Sequence, residues 1–156
     1  MTRDSDFKRI VRARMAETGE GYAAARAAVE ETRSPHRQAY DAARAEQERL
    51  VGRLFADGRI AQVPARRKVR AAVLLEVVRR FEPGRVYSER EVNDVLLEVH
   101  EDFAYLRREL VNYRYLERED GRYRTAAQAP ERAPVEHQEI PAWEAHWLPG
   151  FLAGSS

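Results

Sequence analysis

The segment from Ser88 to Val99 carries the clearest local folding signal in the chain. Ser88 and Glu91 are spaced as a capping box, in which each side chain accepts a hydrogen bond from the backbone N–H of the other residue. The apolar residues that follow recur at intervals of three and four, the period of a helix with one buried face. They are Val92, Val95, Leu96 and Val99. The pattern predicts an amphipathic helix that begins at Ser88 and packs against neighbouring elements.

Helical signals lie on both sides of this segment. A preceding helix is predicted from about Ala65 to Glu82, where Pro83-Gly84 should end it. A short extended piece, residues 85–87, leads to the capping box. Asp102 is predicted to cap the next helix, because it precedes a second apolar stripe of helical period. That stripe consists of Phe103, Leu106, Leu110 and Tyr113.

A hairpin is predicted after this helix. Asp120-Gly121 lies between two strand-like segments, 115–119 and 122–126, and this dipeptide favours a two-residue type I′ turn. The resulting order is helix, short strand, helix, turn, helix and hairpin. This is the order of a winged helix-turn-helix domain, whose hairpin is the wing.

The predicted fold class is therefore mainly α, with N-terminal helices before the winged domain and an extended tail after it. The predicted boundaries are 1–56 for the helical region, 57–126 for the winged domain and 127–156 for a Pro-rich tail with an aromatic cluster. Three helices are expected in the first region, which end near Gly19, near Ser34-Pro35 and at Phe55. A short strand or an extended connector is expected at 59–63.

Composition narrows the functional classes. The chain has no cysteine, which excludes disulfides and cysteine-based zinc modules, and no apolar run of the roughly 18 residues that span a bilayer. With no apolar leader at Met1, we expect a cytoplasmic protein without membrane contact. The formal net charge is +1, so any attraction to nucleic acid has to come from a local patch.

Several linked motifs resemble the bacterial domain-of-unknown-function family 2087, over about Leu54 to Thr125. They are Phe55-x-x-Gly58-Arg59, Val63-Pro64-x-Arg66-x-Lys68, Phe81-x-x-Gly84-Arg85-x-Tyr87-x-Glu89-x-Glu91-Val92-Asn93, His100-x-Asp102-x-x-x-Leu106-Arg107-Arg108-x-Leu110-Val111, Leu116-x-Arg118 and Gly121-x-Tyr123-Arg124. The resemblance implies a small winged-helix-like module, sometimes attached to helix-turn-helix repressor domains, with no settled activity.

The helix after Asp102 is the candidate for reading double-stranded DNA. Its apolar side centres on Leu106 and Leu110, so Arg108, Asn112 and Tyr105 are predicted to point outward. Arginine and asparagine recognise guanine and adenine edges in the major groove. The alternative is that these side chains form an ordinary solvated face.

Two basic runs are candidates for phosphate contacts: Lys8, Arg9 and Arg12 in the first helix, and Arg66, Arg67 and Lys68 at the start of the helix predicted from about Ala65. A solvated helix face is the alternative for both. Arg107 is assigned a structural role, pairing internally with Glu91, Asn93 or Asp102.

The predicted wing argues against strong DNA binding. A two-residue turn places Glu119 opposite Arg122 and Glu117 opposite Arg124, and opposite charges in facing positions attract. We therefore expect the wing arginines to be neutralised.

The tail carries the large apolar residues Trp143, Trp147 and Phe151, which are candidates for docking a protein partner. The alternative is that the tail folds back onto its own domain. A helix from Ala142 to Leu148 would place both indoles on one face, and Pro149-Gly150 would end it.

No catalytic constellation, metal site or cofactor motif is recognised, so we expect a protein without enzymatic activity or cofactor. His100 is interpreted as a helix-terminal residue. Two functions are left open: a DNA-binding transcriptional regulator, or a protein-interaction adaptor that uses the winged domain as a platform and the tail or N-terminal helices as contacts. A homodimer is compatible with either.

Overall fold

The computed structural model describes residues 2–154, with side chains from Ser5 onward. These residues form two compact units, one up to Ala42 and one from Ala43 onward. Helices dominate both units and the strands are short, so the predicted mainly α class is confirmed. Within the described residues, every helix is too short or too polar to cross a membrane.

The first unit is built on two helices, α1 (Thr2–Thr18) and α2 (Tyr22–Arg33), and contains the start of α3 (Pro35–Val51). Val11, Ala25 and Val29 form its buried core, with Phe7 and Met15 packed against them. Gly19 follows α1 at φ 75°, the left-handed conformation that ends helices, as its position in the sequence predicts. Ser34 caps α3 by accepting a hydrogen bond of 3.1 Å from the Arg37 N–H.

The second unit contains the rest of α3 and the remaining elements. In chain order these are β1 (Phe55–Ala56), β2 (Arg59–Ile60), α4 (Arg67–Val78), β3 (Tyr87–Ser88), α5 (Glu89–Leu97), α6 (Phe103–Asn112), β4 (Leu116–Glu119), β5 (Arg122–Thr125), a 3-10 turn (Glu136–Glu139) and α7 (Ala142–Leu152). Helix α4 lies at the centre, since nearly every residue from Ala71 to Val78 is buried.

The predicted extension of α3 to Phe55 is wrong. The helix ends at Val51, and β1 pairs with β2 in a small hairpin, with Phe55 opposite Ile60. Asp57 and Gly58 form its turn at φ 53° and 78°, and two positive φ angles in succession are those of a type I′ turn. The predicted strand at 59–63 is accordingly only two residues long.

Two predicted helix caps are confirmed. Glu91 N–H donates to the Ser88 hydroxyl at 3.1 Å, and the Ser88 N–H donates to the Glu91 carboxylate at 3.0 Å. Asp102 accepts a hydrogen bond of 3.1 Å from the Tyr105 N–H and caps α6. These caps fix the starts of α5 and α6.

The larger sheet has the strand order β3-β5-β4, all antiparallel. Asp120 and Gly121 have φ 50° and 73°, so the predicted type I′ turn is confirmed, and Glu117 faces Arg124 while Glu119 faces Arg122. Arg124 contacts both carboxylates, at 3.2 Å and 3.7 Å. The prediction that Arg122 is neutralised is wrong. Glu119 pairs with Arg124 instead, and Arg122 forms no ion pair with any described residue.

The segment after Thr125 is not the extended tail that the sequence predicts. It includes the 3-10 turn and α7, which packs against α4. Helix α7 also continues through Pro149 to Leu152 instead of ending before it. Proline removes one helical hydrogen bond, but Trp147 and Phe151 stack at 4.7 Å across this position and hold the two turns together.

Candidate nucleic-acid interface

The outer face of α6 carries the first two candidate residues. Leu106 and Leu110 are fully buried and anchor the helix on the core, which turns Arg108 and Asn112 to the solvent. Both side chains are exposed. The Asn112 amide donates a hydrogen bond of 3.3 Å to Glu109 on the preceding turn. The helix therefore presents a guanidinium and an amide one turn apart.

Tyr105 does not share this exposed face. Its ring is half-buried, and its hydroxyl accepts a hydrogen bond of 3.3 Å from Arg70 on α4. The prediction that Tyr105 points outward beside Arg108 is therefore wrong. The reason is tertiary: Arg70 lies between α4 and α6, where it also contacts Glu109 at 3.5 Å.

Arg107 has the internal role that the sequence predicts. Its guanidinium donates to the side-chain amide oxygen of Asn93 and lies 3.7 Å from Glu89, so it joins α6 to α5. The Tyr123 hydroxyl of β5 donates to the same Glu89 carboxylate at 3.0 Å. Burial, followed by this hydrogen bond, raises the pKa of Tyr123. Three elements are thereby held in one polar network.

Arg118 is a site residue that the sequence interpretation missed. The register places it opposite Tyr123, on the same face of the hairpin, and its guanidinium lies 5.8 Å from the centre of the Tyr123 ring. Its side chain is exposed. The predicted hairpin already places Arg118 opposite Tyr123. Because side chains alternate between the two faces of a strand, this shared face could have been predicted from the sequence. The stack on Tyr123 holds Arg118 over the hairpin surface.

An open cavity of about 240 Å³ lies between helix α6 and the hairpin. Its lining consists of Arg107, Arg108, Val111, Asn112, Arg118 and Tyr123. None of these lining residues is a carboxylate. The cavity thus brings together Arg108 and Asn112 of α6, which the sequence predicts as site residues, and Arg118 of the hairpin.

Some of the exposed arginines without a carboxylate partner lie on the same elements. Among the described residues, Arg90, Arg108, Arg118 and Arg122 form no ion pair. Their neighbours Arg85, Arg107 and Arg124 are paired with Glu91, Glu89 and Glu117. The start of α5, the outer face of α6 and the hairpin therefore each present at least one guanidinium group that is not ion-paired with a described residue.

The two predicted basic runs are compensated in part, since three of their six residues form ion pairs with described residues. Arg67 pairs with Glu139 at 3.1 Å and Lys68 with Glu46 at 3.2 Å, while Arg66 is exposed and has no ion pair among the described residues. In the first unit Arg9 pairs with Asp6 at 3.2 Å. Lys8 and Arg12 are exposed there.

The aromatic side chains of the tail lie within the second unit. Trp143 is 7% exposed, and Trp147 and Phe151 are half-buried. The indole rings of Trp143 and Trp147 stack at 6.3 Å, and the guanidinium of Arg79, which directly follows α4, lies 5.8 Å from the Trp147 ring. Trp143 is thus packed inside its own unit.

A buried polar cluster was also missed. Arg132 and Glu144 form two hydrogen bonds, at 3.0 Å and 2.9 Å, and the Tyr115 hydroxyl donates to the same carboxylate. Arg132 and Glu144 are separated by 12 positions, and neither belongs to a recognised motif, so no local pattern identifies the pair. It joins the tail to the residues between α6 and β4.

The histidines are dispersed. Nδ1 of His100 lies 3.0 Å from the Ile60 carbonyl oxygen, at the end of α5. Over residues 2–154, no three histidine or carboxylate side chains come together as a set of metal ligands.

Residues 59–125 match the model of a family described as an uncharacterized protein conserved in bacteria (DUF2087). The predicted resemblance to this family is therefore confirmed. Neither a curated protein nor a solved structure matches the chain.

Proposed function

We propose that the family module at residues 59–125 is a winged helix-turn-helix domain and that the protein is a non-enzymatic transcriptional regulator that binds double-stranded DNA. The order α4, β3, α5, α6, β4, β5 supports the domain type. So does the pairing of β3 with β5, which attaches the hairpin to the strand before α5. In this arrangement α6 is the recognition helix and the β4–β5 hairpin is the wing.

The observation that carries the proposal is the exposed pair of Arg108 and Asn112 on α6. A guanidinium donates two parallel hydrogen bonds to a guanine edge, and a carboxamide does the same with adenine. Arg108 is available for such contacts because it has no ion pair among the described residues, whereas the adjacent Arg107 is held by Asn93 and Glu89.

The distribution of charge also supports DNA binding. The net charge of +1 leaves attraction to phosphate to local groups. Arg90, Arg108, Arg118 and Arg122 supply them on the three elements that would face the duplex. Among the predicted phosphate candidates, Arg66 is available, whereas Arg67 and Lys68 are already compensated by carboxylates. Because few cations are free to contact phosphates, we expect the protein to bind DNA with moderate affinity and the binding constant to depend only weakly on salt.

The test is binding to random duplex DNA over a salt series, followed by selection of a preferred sequence. We expect the logarithm of the binding constant to fall linearly with the logarithm of salt concentration. Arg108→Ala should lose about 1–3 kcal/mol of discrimination between preferred and random duplex. Arg49→Ala is the matched control, because Arg49 is equally exposed on α3 and has no ion pair among the described residues. If Arg108→Ala and Arg49→Ala discriminate equally well between the preferred and the random duplex, Arg108 is not part of the interface.

A protein-interaction adaptor is the second candidate, supported by exposed apolar side chains in both units. Ile10 and Tyr22, on α1 and α2, are each 41% exposed. The tail is a weaker contact candidate, since Trp143 is buried in its own unit. The test of this candidate takes a second copy of the chain as the partner. Two results together would favour the adaptor. The protein would bind no duplex at low salt, and sedimentation would show a dimer that Ile10→Ser and Tyr22→Ser dissociate.

A further inference from the structure

We propose that the cavity between α6 and the hairpin binds a phosphate group, and that its ligand in the cell is a backbone phosphodiester of duplex DNA. The inference rests on the proposed function and deepens it, by assigning a phosphate contact to Arg118. The hydrogen-bond donors of the cavity are the guanidinium groups of Arg118, Arg107 and Arg108 and the Asn112 amide.

The charge of the lining points to an anion. Three guanidinium groups line this cavity and no carboxylate does. Two neighbouring cavities also contain arginines but are compensated. One, on the other side of the hairpin, includes Glu117, Glu119 and Asp120. The other, beside the start of α4, includes Glu136 and Glu139. An anion is therefore attracted to the α6–hairpin cavity more strongly than to the other two.

Two of these donors are held in place before a ligand arrives. Arg107 is fixed by Asn93 and Glu89, and Arg118 lies over the ring of Tyr123, whose hydroxyl is bound to Glu89. Side chains that are already ordered lose less conformational entropy on binding. A planar guanidinium matches two phosphate oxygens at once, which favours phosphate over a spherical anion.

The position of the cavity favours a DNA phosphate over a free one. Asn112 and Arg108 belong both to its lining and to the exposed face of α6 that is proposed to read bases. A phosphate held here would lie between the recognition helix and the wing. Backbone contacts of this kind set the register of a protein on the duplex without reading its sequence.

The first test compares Arg118→Ala with Arg49→Ala in binding to random duplex across a salt series. Loss of one phosphate contact should reduce the slope of log K against log salt by about one and weaken binding evenly across sequences. Arg118→Lys keeps the charge but not the planar fork, so it should restore most of the slope. If Arg118→Ala and Arg49→Ala both keep the parental slope while the parent binds DNA, the phosphate site is overturned and the proposed function stands.

The second test does not depend on DNA. Inorganic phosphate is titrated into the full-length protein while NMR follows the Nε–Hε signals of Arg108, Arg118 and Arg49. We expect saturable shifts at Arg108 and Arg118 but not at Arg49, and loss of the Arg108 shift in Arg118→Ala. Saturable shifts in a protein that binds no duplex would support the phosphate site with a free phosphate ligand and refute DNA binding. Equal, non-saturating shifts at all three arginines would overturn the site.

Discussion

Arg132 and Glu144 form a bidentate ion pair in the interior of the second unit, with contacts of 3.0 Å and 2.9 Å. Their side chains are only 7% and 6% exposed. Arg132 also donates to the Tyr113 carbonyl oxygen at 2.8 Å, and Tyr115 donates to Glu144. The pair therefore joins the tail to the chain between α6 and β4, at the edge of the module that matches the family.

Removing one member of this pair should be strongly destabilising. Arg132→Ala leaves the Glu144 carboxylate buried with Tyr115 as its remaining hydrogen-bond donor among the described contacts. The free energy of unfolding, measured in urea, should fall by about 3–5 kcal/mol. Arg124→Ala is the control, since its ion pair with Glu117 is exposed and should contribute at most about 1 kcal/mol. Similar losses in the two variants would show that the Arg132–Glu144 pair is solvated.

Stability should also depend on Tyr115 at high pH. Burial, followed by the charge of Glu144, raises the pKa of Tyr115 well above its usual range. The phenol is protonated in both the folded and unfolded states below about pH 10, the pKa of an unperturbed tyrosine. Above that pH the unfolded state ionises first, so stability falls as pH rises toward the folded pKa.

The measurement is urea unfolding of the parent and of Tyr115→Phe between pH 8 and pH 11. The stability advantage of the parent should shrink above about pH 10, because only the parent has a phenol at this position. An advantage that stays constant through this range would mean that Tyr115 ionises equally in both states.

Truncation after Ala129 should destabilise the second unit. It removes Trp143 and Leu148 from contact with the core, and burial of each such side chain contributes about 1.5–3 kcal/mol. We expect a lower melting temperature and new binding of a hydrophobic dye. Both tryptophans of the chain lie in this segment, so intact-protein fluorescence reports on it directly and should be blue-shifted by the burial of Trp143. A truncated protein with the parental melting curve would refute internal packing of the tail.

The capping box should affect stability more than DNA binding. Ser88→Ala removes the acceptor for the Glu91 N–H and should cost about 0.5–2 kcal/mol. Ser88→Thr keeps a hydroxyl and should retain most of the stability. Thermal unfolding of both variants, with duplex binding measured below the transition, tests this expectation. A large loss of binding in folded Ser88→Ala would instead place Ser88 in the interface.

The features that the sequence determines by itself are local. The Ser88–Glu91 box, the Asp102 cap and the Asp120-Gly121 turn each depend on residues within three positions of one another, so their geometry follows from the backbone that they share. The period of Leu106 and Leu110 likewise predicts that Arg108 and Asn112 are exposed.

The tertiary structure decided the contacts between residues that are distant in sequence. Tyr105 turns toward α4 because Arg70 supplies a hydrogen bond there, and Arg118 joins the candidate site because the hairpin sets it over Tyr123 beside α6. Arg132 finds Glu144 only when the tail folds over the second unit. Such partners are selected by packing and burial, since charges that are solvated in the unfolded chain acquire specific partners only where the folded chain excludes water.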